Sequence, residues 1–239
     1  MPLPKIVTPT YHLTLPSNDQ KVAYRPFLVK EEKLLILALE TEDIKEISNG
    51  IKTVLKSCIQ TKNVKVESLP TFDIEYLFLN IRAKSVGEDI EVNITSPDDG
   101  VTPASVIISV DDIKVKRNED HNKIIDLGEG LFMEMKYPSL DEFIRNNFDF
   151  NSDVDMDKSF ELIASCIDKI YNEEEVWATS DVTPKEISEF LEGMNSSQFK
   201  QIEKFFETMP KLSHEVEVVN PNTKVKSKVV LEGLASFFA

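Results

Sequence analysis

The chain has 239 residues, 41% hydrophobic and 29% charged, enough for one large or two small domains with a sizeable apolar core. Its 42 acidic and 27 basic side chains give a formal charge of -15, which repels phosphate backbones and anionic lipid and excludes nucleic acid and membrane surfaces as expected partners. No apolar run approaches the roughly 18 residues of a membrane span, the start MPLPKIV lacks a signal-peptide pattern, and Cys58 and Cys166 lie far apart in amphipathic segments, so a reducing cytosol is expected.

Residues 1–27 carry Pro2, Pro4, Pro9 and Pro16 among the alternating Tyr11, Leu13 and Leu15. This predicts an extended arm with one or two short strands, and such an arm must lie on something. From Leu28 to Glu40 the pattern predicts a helix whose second half is apolar on every side, as in a helix buried in a core or an interface. A second helix is expected over 42–60, with Ile44, Ile47, Ile51, Val54, Leu55 and Cys58 on one face. Pro70 and Thr71 open a third, which carries Phe72, Tyr76, Leu79 and Ala83 on one face and stops at Gly87.

The period changes at Glu88. Ile90, Val92 and Ile94 alternate with polar residues up to the turn at 97–100, and Val106, Ile108, Val110, Ile113 and Val115 alternate after it. A further pair around Ile124 and over 131–135 completes an expected antiparallel meander of three or four strands across 88–137, with a polar loop at 118–122. Beyond it, Ser139 with Glu142 and Thr183 with Glu186 have the spacing of capping boxes, in which a hydroxyl and a carboxylate three residues on satisfy each other's free amides. Helices follow over 140–147, 157–171, 184–192 and 197–208, with Gly193 as a stop before the last. Val216 and Val218, a turn at 220–223 and the run 225–231 predict a terminal hairpin, and Leu231, Leu234, Phe237 and Phe238 form a short apolar tail. The expected fold class is α+β: an N-terminal arm and helical group, an antiparallel β meander, and a C-terminal helical group with a terminal β-hairpin. A boundary near 138 divides 1–137 from 138–239.

The inventory for catalysis is thin. His12, His121 and His214 stand in three differently patterned segments, none with a second His or Cys at metal-ligand spacing, and each reads as a surface or strand-edge residue. There is no Gly-x-Ser-x-Gly elbow, no phosphate loop and no Gly-x-Gly-x-x-Gly, and the chain has only seven glycines. The acidic run over 149–157 alternates oxygen ligands as an EF-hand does, but Val154 stands where the loop needs Gly and Phe160 where it needs Glu, so it reads as a solvated loop. A metal-assisted hydrolase built on that run is the remote alternative. No catalytic residue, cofactor or metal is assigned.

Three blocks carry a resemblance: YRPFLVKEEKLL over 24–35 followed by Ala38, Leu39 and Glu40, LPTFDIEYLFLNIRAKSVG over 69–87, and LEGLASFF over 231–238. They resemble the baseplate hub assembly family of T4-type tailed phages. The resemblance implies an assembly factor or minor hub component of a contractile-tail baseplate, with phage baseplate hub proteins as partners, no enzymatic activity and no cofactor. It also implies residence in the host cytoplasm during assembly, or in the virion baseplate. In some members of the family the turns equivalent to 96–100 and 220–223 contain cysteines resembling a zinc knuckle. Here they read Ser96, Pro97, Asp98, Asp99, Gly100 and Asn220, Pro221, Asn222, Thr223, so no zinc site is expected.

Apolar residues in excess of a monomer's needs then mark the expected partner contacts, which are Leu34, Leu35 and Leu37 of the first helix and Leu234, Phe237 and Phe238 of the tail. The tail is expected to anchor on a partner or on its own hairpin, and removal of both phenylalanines to weaken hub assembly more than it lowers the melting temperature.

Overall fold

The computed structural model describes residues 6–41, 43–140, 142 and 156–237. The chain forms two compact units, Met1–Lys116 together with Lys211–Ala239, and Arg117–Pro210. The first unit is therefore discontinuous in sequence. The boundary expected near 138 falls inside the second unit, because the strand over 131–135 pairs with one over 167–171.

In the first unit the arm folds into an antiparallel hairpin of β1 (Tyr11–Thr14) and β2 (Lys21–Tyr24). Few side chains hold it, but Leu15, Val22 and Tyr24 are buried. The backbone does the rest: Arg25 N donates to Cys58 O at 3.0 Å and Gln60 N to Ala23 O at 2.8 Å. Ser17 N donates to Oδ1 of the buried Asp73 at 3.0 Å, and the Ser17 hydroxyl donates to Asp73 Oδ2. The arm thus lies on the ends of α2 (Ile44–Cys58) and α3 (Thr71–Val86). Asp43 caps α2 by accepting from Lys45 N at 2.7 Å. Gly87 ends α3 at φ 132, which L side chains rarely adopt.

Two sheets complete this unit. The hairpin of β3 (Asp89–Thr95) and β4 (Pro103–Ser109) is one. In the other, β5 (Lys114–Lys116), β10 (Lys211–Val219) and β11 (Lys226–Glu232) lie in the order β11-β10-β5. Leu79 and Ala83 of α3 share one core with Ile90, Val92 and Ile108 of the first sheet and Leu212, Val216 and Val218 of the second. The alternation in β3 places every second side chain in that core, as a strand period of two requires.

The second unit is a four-stranded antiparallel meander of β6 (Ile124–Gly128), β7 (Leu131–Met135), β8 (Ile167–Tyr171) and β9 (Val176–Ala178). Its helices are α4 (Met156–Ser165), α5 (Pro184–Glu192) and α6 (Ser196–Thr208). Ile125, Met133 and Ile167 of the sheet pack with Leu162, Ile187, Leu191, Ile202 and Phe205 of the helices.

The strands expected over 88–137 are present and antiparallel, distributed over three sheets. The helix expected over 157–171 is divided. It ends at Ser165, and the following residues enter the sheet, where Met133 stands opposite Ile170 and Lys136 N donates to Cys166 O at 2.7 Å. Pairing with β7 overrides the helical pattern in a stretch rich in β-branched residues. Most of the helix expected over 140–147 lies outside the described residues, although its start is capped as expected, with Ser139 N donating to Glu142 Oε2 at 2.8 Å.

Candidate functional site

The candidate site is built on α1 (Val29–Leu39), which turns the usual logic of a helix inside out. Its only buried side chain is a carboxylate: Glu31 is 5% exposed. Arg25 Nη2 donates to Glu31 Oε1 at 3.0 Å, and Leu28 N donates to Glu31 Oε2 at 2.8 Å. Burial pushes the Glu31 carboxyl up, but the Arg25 hydrogen bond and the Leu28 amide outweigh it, and the group is held below its ordinary value. Arg25 Nη1 also donates to Pro26 O at 2.8 Å, and Phe27 N donates to Ser85 Oγ at 2.9 Å. The N-terminal end of α1 is therefore fastened by polar groups to β2 and α3.

The aliphatic side chains face the other way. Val29 is 79% exposed, Ile36 51%, Leu37 53% and Leu39 54%. Val29, Ile36 and Leu39 stand at i, i+7 and i+10 and form one stripe, with Leu37 beside it. The opposite side meets α2 at Gly50, where a Cβ would lie 3.1 Å from Ala38 Cβ and 3.4 Å from Leu34 Cδ2. The two helices approach closely there, and a larger residue would require Ala38 to give by a few tenths of an ångström.

Of the expected contact residues, Leu37 lies on the outward stripe, whereas Leu34 and Leu35 are half-buried. Val29, Ile36 and Leu39 were not singled out from sequence. Gly50 held the missing signal: a glycine on the apolar side of α2 marks the close approach and so tells which side of α1 turns outward. Of the tail residues, Phe237 does not share this surface. Phe237, in a short 3-10 turn over Leu234–Phe237, is wholly buried in the core of its own unit. The Leu234 side chain and Phe238 lie outside the described residues.

The turns at 96–100 and 220–223 come together. Asn220, fully buried, donates from Nδ2 to Asp98 Oδ1 at 2.9 Å and to Asp99 Oδ2 at 2.8 Å. Asn222 Nδ2 donates to Thr102 Oγ1 at 3.1 Å. No group of three or more His, Cys, Asp or Glu side chains suited to a metal occurs among the described residues, and the acidic run over 149–157 falls largely outside them. Both cysteines are free and buried, and burial pushes the Cys58 thiol up to about 11 and the Cys166 thiol up to about 12. At neutral pH neither is a thiolate, so neither is an activated nucleophile.

Of the histidines, His12 is exposed on β1, and His214 Nδ1 lies 3.2 Å from Asp112 O. His121 departs from the surface position expected for it. Its ring lies 5.6 Å from that of Tyr137 and 5.2 Å from that of Phe205, with Nδ1 2.9 Å from Thr208 Oγ1 and Nε2 buried without a partner. Burial, and then the charge of Lys123, hold its pKa below the ordinary 6.5. The fold therefore binds fewer protons than the unfolded chain below that value, and stability is full above pH 6.5 and falls as pH drops toward the lowered folded value. Thermal melts between pH 5 and 7 are expected to show that decline in the wild type and to lose it in His121→Gln. A decline of the same size in the variant would assign it to other groups.

No helix of the described residues is long and apolar enough to cross a membrane. A family model described as T4 bacteriophage base plate protein matches residues 8–239. No curated protein and no solved structure matches the chain.

Proposed function

Because the chain belongs to the T4 bacteriophage base plate protein family, we propose that it is a non-enzymatic assembly factor that binds baseplate hub proteins while the contractile tail is built. The observation that carries this reading is the outward stripe of α1. A helix that packs Leu34 and Ala38 on α2, buries one carboxylate and exposes Val29, Ile36, Leu37 and Leu39 has apolar surface to give to a partner. Covering a Leu or Ile side chain contributes about 1.5–3 kcal/mol, which makes the stripe a source of affinity. The polar fastening of Glu31 fixes the direction in which the stripe points, so a partner meets a formed surface and need not order it. The charge of -15 keeps such a protein soluble while the stripe is uncovered. A second reading, a hub subunit retained in the virion, is favoured by the family's description, which names the base plate itself.

The double variant Leu37→Asp with Leu39→Asp tests the stripe. Tagged wild type and variant are recovered from phage-infected cells, and the baseplate hub proteins bound to each are quantified. A loss of about tenfold or more is expected, equivalent to about 1.4 kcal/mol or more. The melting temperature should hold, since both side chains are more than half exposed. Undiminished capture would remove α1 from the binding surface.

A further inference from the structure

Nearly all of the chain's net charge resides in the second unit. Residues 117–210 carry 22 acidic and nine basic side chains, a net -13, whereas the remaining residues carry 20 and 18, a net -2. The same unit contains a cavity of about 300 Å³ lined chiefly by Leu131, Ile167, Ile170, Trp177, Ile187 and Phe190. Its walls thus come from β7, β8, β9 and α5, which a single sheet-and-helix framework holds in place.

The Thr179 hydroxyl and Glu186 Oε2 at the cavity are already bonded within the unit. Thr179 Oγ1 donates to Ile167 O at 2.6 Å, with Asp168 O at 2.8 Å as a second acceptor. Glu186 Oε2 accepts from Thr183 N and from Thr183 Oγ1, both at 2.7 Å, and these bonds, the backbone amide first, hold its carboxyl below the ordinary range. Glu186 is therefore a fixed negative charge. An occupant meets mainly apolar walls beside a carboxylate that stays ionised. The elements that line the cavity also carry the exposed acids Asp168, Glu173, Glu174, Glu175 and Asp181 in or next to them, while their two lysines are paired, Lys185 with Glu189 at 3.3 Å and Lys169 with Glu134 at 2.9 Å. An anionic ligand is repelled by this field, and a neutral apolar one makes no use of it.

We infer that the cavity is a docking site for a basic segment of a partner protein, which inserts one aliphatic or aromatic side chain beside Trp177 and sets flanking Lys or Arg residues against the acidic rim. Apolar insertion supplies affinity, and charge supplies the encounter rate and the choice of partner. This site is separate from the α1 stripe and holds whether or not α1 binds a hub protein.

Trp177 is the only tryptophan of the chain, so its emission reports on the cavity. The full chain is titrated with three acetylated, amidated hexapeptides: KKLKFK, KKSKSK and EELEFE. A saturable change in Trp177 emission is expected with KKLKFK. Binding at least tenfold weaker is expected with KKSKSK, and none with EELEFE. Raising the salt from 0.05 to 0.5 M should weaken the first titration several-fold. The exposed triple variant Glu173→Gln, Glu174→Gln and Glu175→Gln, checked for an unchanged melt, should weaken it likewise. Leu37→Asp should leave it unchanged, which keeps a failure here distinct from a failure of the α1 reading. Equal binding of KKLKFK and KKSKSK, or no change in emission, would overturn the inference. A change with protein concentration alone would also overturn it, because the cavity would then be filled by a second copy of the chain.

Discussion

Phe237→Ala is expected to lower the stability of the first unit by about 3–5 kcal/mol, the usual cost of deleting a buried phenylalanine and leaving its cavity. The side chain has no exposed surface and packs in the core shared by α3 and both sheets. The residues leading into it are fastened, with Gly233 N donating to Leu212 O at 2.9 Å and Ser236 Oγ donating to Glu232 O at 2.6 Å. Thermal and urea melts of the purified variant check this, with a fall in melting temperature of about 10 °C or more. The order of effects is then the reverse of the one expected from the sequence: stability is lost first, and hub capture only as its consequence. A variant that melts like the wild type but no longer captures hub proteins would return Phe237 to the partner surface.

Asn220→Ala should cost about 2–3 kcal/mol, because each hydrogen bond to a charged group contributes about 1.5–3 kcal/mol and exposed carboxylates recover part of it from water. The amide closes a clip between the β3–β4 turn and the β10–β11 turn. Besides its bonds to Asp98 and Asp99, its Oδ1 accepts from Asn222 N at 2.8 Å and from Thr223 N at 3.2 Å. Thr223 Oγ1 adds a bond to Asp98 Oδ2 at 2.5 Å. The Thr223 hydroxyl, and then Asn220, hold the Asp98 carboxyl below its ordinary 3.8, and the Thr102 hydroxyl and amide hold that of Asp99 lower still. Folded values below unfolded ones mean that this contribution is present above about pH 3.8 and is lost as pH falls through the folded values. Acid melts below pH 4 should therefore be shallower in Asn220→Ala than in the wild type. The carboxylates of the clip already accept from the Asn220 amide, the Thr102 and Thr223 hydroxyls and the Val101 and Thr102 amides, so a chelator is expected to leave the wild-type melt unchanged. A melt lowered by chelator would mean that a metal holds these turns.

Much of this molecule was legible where the signal is local. The capping box at Thr183 and Glu186 has the reciprocal bonds its spacing implies, and Gly87 stops α3 in a conformation suited to glycine. The hairpin turn at 97–100 and the alternation on both sides of it are also as read. What stayed hidden depends on distant partners. Lys116 stands opposite Lys211, and no periodicity in either segment announces a pairing across so long an interval. For the same reason the discontinuous first unit and the strand at 167–171 were missed. The apolar run of α1 was legible as unusual but not as exposed. Apolar residues all round give no outward side, and only Gly50 on the neighbouring helix fixes one.

An assembly factor that leaves and a retained hub subunit are told apart by quantitative mass spectrometry of baseplate assembly intermediates and of purified finished particles from the same infection. As an assembly factor, this chain is expected in stoichiometric amount in hub intermediates and far below one copy per hub in finished particles. Stoichiometric presence in finished particles would contradict that role and make the chain a structural subunit of the base plate.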